Sequence, residues 1–567
     1  MINIKDNISA ALGKVKAELV LKNAFIINVF TQSIEKNDIA INEGIIVGIG
    51  KYDGIEEIDC TGLFAAPGFI DSHVHIESTF VTPEAFSKLV IKKGVTTAIA
   101  DPHEIANVLG LQGIEFMIES SNKGVMDIFY MLPSCVPATD FEDNGAALGA
   151  EELEKYINHS RVLGLGEVMN VPAVVNGCDN MLNKIKLAKG KHVDGHCPGI
   201  LDKELNAYRV VGINTDHECT NYSEAIKKVQ RGMYVMLREG SAARNLADLL
   251  PAVDKDNYQR FLFCTDDRHI EDLMQEGSID NCIRKAIKEG LEPIMAYTIA
   301  SFSAANCYGL MDRGAIAPGY KADVVIFDDL YKLKINTVIK NGKVFCEKGS
   351  KSSYYIKSSV NLDFINKDDL KVENVGDYVN VIKLIPRSIE TKQEKRKAII
   401  KDNIVASVEG DNVLKIAVFE RHKRTGKKAV GYLEGLGLSD CAIAQTIAHD
   451  SHNIVVAGDN DKDMEIAVNS LITIGGGIAI VSQGKLLDHL SLPIAGLMTV
   501  EETAIVCDKV KKLRMIARQY GVKKDFDPFI TLAFMALPVI PSLKITARGL
   551  FDYNNFSFTP LFEKNGN

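Results

Sequence analysis

Gly68-Phe69-Ile70-Asp71-Ser72-His73-Val74-His75 is an apolar run that ends in two histidines two positions apart. On an extended strand the side-chain period is two, so both imidazoles leave on the same side. If that strand ends at an open mouth, the pair can reach one ion. Four further apolar stretches end in the same kind of residue, at Glu167, His196, His217 and Asp266. Taken together, His73, His75, Glu167, His196, His217 and Asp266 make a candidate site for two divalent metals. The set contains no thiolate, so its histidine, carboxylate and water ligands suit manganese, iron(II) and zinc alike.

Working outward, eight β-leaning stretches follow one another: Leu63–Ile70, Val95–Ala100, Met126–Leu132, Val162–Gly166, Lys191–Asp194, Val211–Asn214, Met233–Leu237 and Phe261–Cys264. Most gaps between them are long enough for a helix, as at Pro83–Lys93, Ile105–Lys123, Glu151–Ser160 and Ser223–Arg231. This alternation predicts a (β/α)8 barrel, an α/β fold whose chemistry sits at the C-terminal ends of its strands. Polar residues fall at those ends: Asp71, His73 and His75 on strand one, Asp101 and His103 on strand two, and Glu167 on strand four. His196 ends strand five, His217 and Glu218 strand six, Arg238 and Glu239 strand seven, and Asp266 and Asp267 strand eight. Histidine at four of the eight ends, in a chain with only 12, is more than core packing explains. His192 is the decoy, since its even spacing from His196 puts it on the same face but deeper in the barrel.

Around the barrel, Leu19–Asn23, Ala24–Asn28, Ile34–Asn42 and Ile45–Ile49 read as short strands, and Gly314–Phe327 with Val338–Phe345 forms a similar patch. Neither is large enough to bury a core alone. We therefore expect residues 1–66 and 315–350 to join as one discontinuous small β-sandwich domain interrupted by a catalytic barrel, 67–314. A polar linker, 347–370, leads to a C-terminal α/β domain, 371–567, with strands Val413–Phe419, Asn453–Ala457 and Gly477–Val481 and helices Asp461–Ile472 and Val500–Tyr520. Gly475-Gly476-Gly477 lacks nucleotide-loop spacing and reads as a turn. His449-Asp450-Ser451-His452 is a polar cluster that could reach the active site as a lid.

At 567 residues the chain exceeds one hydrophobic core, and its 46% hydrophobic and 25% charged residues are ordinary globular composition. No signal-peptide core or 18-residue apolar span appears, so a cytoplasmic protein is expected, without a membrane partner. The eleven cysteines include no Cys-x-x-Cys pair, which argues for reduced thiols. A net charge of −9 disfavours a nucleic-acid surface. The basic runs Arg421-His422-Lys423-Arg424 and Lys427-Lys428 are read as solvated loop. A homo-oligomer is expected.

Ala65-Ala66-Pro67-Gly68 with the His73/His75 run, and Pro318-Gly319-Tyr320-Lys321-Ala322-Asp323 after the barrel, resemble the amidohydrolase superfamily. Asp101-Pro102-His103-Glu104, Gly164-Leu165-Gly166-Glu167-Val168-Met169-Asn170, Val193-Asp194-Gly195-His196-Cys197-Pro198-Gly199, Thr215-Asp216-His217-Glu218-Cys219, Leu237-Arg238-Glu239-Gly240-Ser241, Cys264-Thr265-Asp266-Asp267-Arg268-His269 and Ala448-His449-Asp450-Ser451-His452-Asn453 extend the likeness, over nearly the whole chain, to the bacterial adenine deaminases within it. Hydantoinases, dihydroorotases and ureases bridge their metals with a carboxylated lysine on strand four, where this chain has Glu167. The other deaminase design needs H-x-E followed by P-C-x-x-C; His75-Ile76-Glu77 supplies the first half, but the second is missing.

The resemblance implies hydrolysis of adenine to hypoxanthine and ammonia, as in purine salvage, at two ions bridged by Glu167 and a hydroxide, with manganese or ferrous iron favoured. It implies Asp266 as proton shuttle and His103 as an active-site residue, although His103 could also serve as a helix-capping partner. Glu77, Glu104, Arg238 and Glu239 are candidates for reading the purine ring, and Arg238 with Glu239 could equally be an ion pair holding strand seven. A cyclic-amide hydrolase or N-deacetylase on the same barrel is the alternative, and a scaffold without catalysis is disfavoured because all six ligands are present.

Overall fold

The computed structural model describes residues 4–347, 354 and 358–562. Barrel strands one to five are Phe69–Val74, Val95–Ala100, Asp127–Leu132, Val162–Val168 and His192–Gly195, paired in parallel in that order. Strands six to eight, Thr215–Asp216, Tyr234–Arg238 and Phe261–Cys264, form a second parallel set. The Asn214 N–H donates to Val193 O at 2.9 Å and joins the sets on one side. On the other, the Asp266 N–H donates to His73 O at 2.9 Å, and the ring closes into a (β/α)8 barrel. All six residues of strand one are buried, as are all six of strand two. A barrel strand buried on both faces shows no alternation, which is why these stretches read as continuous apolar runs.

Four expectations are corrected. Leu63–Ile70 is two elements: Phe64–Pro67 pairs with Ala17–Asn28 and Val324–Phe327, and only Phe69–Val74 enters the barrel. Gly68 is the pivot, because a Cβ there would lie 2.2 Å from the Thr96 hydroxyl. Strand six is Thr215–Asp216 and not Val211–Asn214, because the helix Asp202–Val210 runs up to Val211 and its exit is turned by Gly212 at φ 105. Ile105–Lys123 is two helices, His103–Leu109 and Leu111–Asn122, broken at Gly110. Leu19–Asn23 and Ala24–Asn28 are one strand, Ala17–Asn28, with a bulge between Leu21 and Ala24.

Phe64–Pro67 sits inside an eight-stranded sheet built from the strands before the barrel and those after it. Beyond the barrel, a nine-stranded, mostly antiparallel sheet carries the helix Asp461–Ile474 against its buried face. Gly475, at φ 81, ends that helix and leads into strand Gly477–Ser482, so the glycine run is a turn. Within the solvated loop, where Lys423, Arg424, Lys427 and Lys428 are exposed, Arg421 is an exception: its guanidinium is fully buried and donates to Ser359 O, Ser359 Oγ and Ala495 O. Among the described residues no helix is long and apolar enough to cross a membrane.

Candidate metal centre

Strand one delivers His73 and His75 to the same side, as period two requires, and their Nε2 atoms lie 3.2 Å apart. Asp71, between the apolar run and the histidines, locks strand one to strand eight. Its Oδ2 accepts from the Thr265 hydroxyl at 2.5 Å and its Oδ1 from the Thr265 N–H at 3.1 Å. Glu167 comes from within strand four, and its N–H donates to Asp101 Oδ2 at 3.0 Å. That contact needs the glycine before it, because a Cβ on Gly166 would stand 2.1 Å from the same oxygen.

Glu167 is the centre of the cluster. Its Oε1 lies 2.8 Å from His73 Nε2 and 2.9 Å from His75 Nε2, while its Oε2 faces His196 Nδ1 at 3.0 Å and His217 Nε2 at 3.8 Å. Asp266 Oδ1 lies 3.3 Å from both His73 and His75. His73, Glu167, His217 and Asp266 bring one ligand atom each within 4.8 Å of one another, and His75, His103 and Glu167 form a second such set. All six proposed ligands are therefore brought together, with His103 beside them. Asp266 has φ 53, a left-handed conformation that Asp tolerates better than most residues and that turns its side chain into the mouth.

The donors fit a bound cation. Glu167 Oε1, despite its close nitrogens, has no aligned hydrogen-bond donor. Buried polar atoms are normally paired, and two imidazole nitrogens both directed at one carboxylate oxygen are satisfied by a shared ion. The electrostatics agree. Burial pushes Glu167 upward, but His217 and His73 hold it well below the usual carboxylate range. Burial likewise opposes ionisation of Asp266, and Arg238 and His73 overcome it. Burial works against charge on His73, yet Glu167 and Asp266 raise it to about 10. This is a pocket of retained negative charge that draws positive charge to itself.

The four candidates for ring recognition are differently placed. Glu77 is buried, accepts the Ile105 N–H at 3.2 Å on Oε1 and leaves Oε2 without a partner; burial pushes it up to about 7. Glu104 is occupied by His449 and His452. Arg238 donates to Asp266 Oδ2 at 2.9 Å and pairs with Glu218, so it orients the Asp266 carboxylate. Glu239 is tied to Lys285. His192 Nε2 donates to Asp194 Oδ1 at 2.9 Å and packs on Tyr308, away from the ligand set, as a decoy should. Glu218 was missed as a site residue, although its place directly after His217 was the available signal. A small pocket lined by Ser78, Phe80, Asp267, His449, Phe529 and Phe534 among others opens beside the centre.

A closed parallel barrel with histidines and carboxylates gathered at its C-terminal mouth defines a metal-dependent hydrolase of the amidohydrolase class. Residues 64–345 match the amidohydrolase family and residues 388–557 the adenine deaminase C-terminal domain. An adenine deaminase of Clostridium acetobutylicum is 48% identical over 98% of this chain and 100% of its own length. Adenine deaminase 2 of Carboxydothermus hydrogenoformans is 46% identical over 98% of this chain and 99% of its own, and an adenine deaminase of Bacillus pumilus 44% identical over the same shares. The chain belongs to the adenine deaminase family.

Proposed function

We propose that the protein hydrolyses free adenine to hypoxanthine and ammonia. The observation that carries this reading is full-length kinship, through barrel and C-terminal domain alike, with proteins named adenine deaminase. His73, His75, Glu167, His196, His217 and Asp266 would hold two divalent ions, manganese or ferrous iron ahead of zinc, with Glu167 shared between them. Such ions, when bound, supply Lewis acidity and an ionised water near neutral pH.

The chain's own groups then move the protons. Arg238 pins Asp266 Oδ2, which leaves Oδ1 facing His73 and His75, where it can take the proton of the attacking water and return it to the departing amine. Glu77, held near 7, is a suitable donor to ring nitrogen 1. His103, its ring centroid 4.5 Å from that of His75, would hold the attacking oxygen in place. Oxygen bonds to C6, the Glu77 carboxylate left after nitrogen 1 is protonated takes back the proton of the C6 hydroxyl as the carbonyl forms, the C6–N bond breaks, and ammonia leaves. We read residues 1–66 with 315–350, 67–314 and 371–567 as its three domains, and the protein as a cytoplasmic homo-oligomer.

Ammonia release from adenine, adenosine, cytosine, guanine and dihydroorotate tests the reading with metal-reconstituted protein. Adenine should be turned over and adenosine poorly. No ammonia from adenine with manganese or ferrous iron supplied, or faster turnover of adenosine, defeats it.

A further inference from the structure

The segment between strands Ala442–Gln445 and Ile454–Gly458 carries Ala448-His449-Asp450-Ser451-His452 against the barrel mouth. Glu104, on the helix that follows strand two, accepts from His449 Nδ1 at 2.6 Å on one oxygen and makes a short contact with His452 Nε2 on the other. His422 Nε2 meets Ser451 O at 2.7 Å, Asn453 Nδ2 donates to Asp143 O at 3.0 Å, and Arg421 donates to His452 O. Braced on all these sides, the segment forms a wall of the site.

Asp450 sits between the two clamped histidines. It is 3% exposed, and its Oδ2 has no hydrogen-bond partner. Its carboxylate lies with His103 and Glu104 in a set whose ligand atoms are within 4.8 Å of one another, and His103 lies in the like set with His75 and Glu167. The Asp450 carboxylate is thus one imidazole away from the metal centre. A buried carboxylate oxygen without a donor is unfavourable unless whatever enters the site supplies one.

We propose that Asp450 is a substrate-contacting residue that accepts the imidazole N–H of free adenine, with Glu104, His449 and His452 as positioning residues. The assignment rests on the adenine reading. Adenine carries two kinds of N–H group. The exocyclic amine is attached to C6 and must lie at the His73, His75 and Glu167 end, where it departs. The imidazole N–H is across the ring system, and Asp450, separated from that end by His103, is placed to meet it. A purine nucleoside has no hydrogen there, so the same contact selects the free base.

Asp450→Asn and Asp450→Ala, assayed with adenine and 9-methyladenine, test this. For Asp450→Ala, kcat/KM on adenine should fall on the order of 10²-fold, the scale of a lost hydrogen bond to a charged group. The preference for adenine over 9-methyladenine should shrink by a similar factor, as in a double-mutant cycle. Metal content and Tm should match the wild type, and the isosteric Asp450→Asn guards against misfolding. Adenine turnover within about three-fold of wild type, or an equal loss on both substrates that leaves the preference unchanged, overturns the proposal. Wild-type protein inactive on adenine removes the functional reading itself, and this proposal with it.

Discussion

The two ends of the barrel use the same residue types to opposite effect. At the floor, Asp127 is met by Arg313 at 2.8 Å and Lys340 at 2.9 Å, and His192 by Asp194. At the mouth, His73, His103, His217, Glu167 and Asp450 each keep a buried atom with no partner. A histidine beside a carboxylate is therefore no mark of function. What separates the two ends is the gathering of unpartnered atoms around one carboxylate, Glu167, at the mouth, whereas the floor pairs close on themselves.

The largest expected effect is on the open end. His73→Ala removes a ligand outright, and elemental analysis should show metal lost together with adenine turnover. Retained metal and activity would erase the distinction between the ends. Next, Asp266→Asn keeps an oxygen toward the ions but cannot carry a proton, so kcat should fall on the order of 10²–10⁴-fold with metal largely retained. A metal-replete variant turning over near the wild-type rate shifts the proton role to His103 or Glu77.

At the closed end the effect should move from rate to stability. Asp127→Asn strips a charge from Lys340 and Arg313 and should cost about 1–3 kcal/mol with kcat unchanged. Burial pushes Asp127 upward, but Lys340 and Arg313 hold it well below the ordinary carboxylate value. A depressed folded value stabilises in full above the unfolded value of roughly 3.9 and is lost as pH falls through the folded one. The Tm gap between wild type and Asp127→Asn should thus be wide at neutral pH and narrow below about pH 4; a gap that widens on acidification contradicts it. The smallest effect belongs to His192→Gln, expected to leave metal content and kcat unchanged and to lower stability by about 1 kcal/mol. Loss of a metal equivalent there would make His192 a ligand after all.

The barrel and the histidines and carboxylates gathered at its mouth were legible because period-two strands and strand-end residues are local signals. Glu167 announced itself at the end of an apolar run in the same way as His217. What was not legible depended on distance. Phe64 and Phe69 belong to one apolar run, and nothing local shows that Gly68 divides it between two sheets, since both halves are buried. Arg421 looked like one more solvated charge in a basic run because its partners, Ser359 and Ala495, lie far away in sequence. Glu104 and Asp450 were visible singly, but their meeting is made by two domains, and no spacing rule reaches across it.

The sheet that embraces the barrel has a consequence for how the chain is made. Phe64 stacks on Phe327, with ring centroids 5.7 Å apart, and Ala65 and Ala66 pair with Ile326 and Val325. On the ribosome, the N-terminal strands emerge first and must wait, one hydrogen-bonding edge open, while the entire barrel is synthesised. Only when Val324–Phe327 leaves the exit tunnel is that edge covered. Nascent chains stalled before that point should present a sticky strand to their neighbours and to chaperones, whereas those stalled just after it should not.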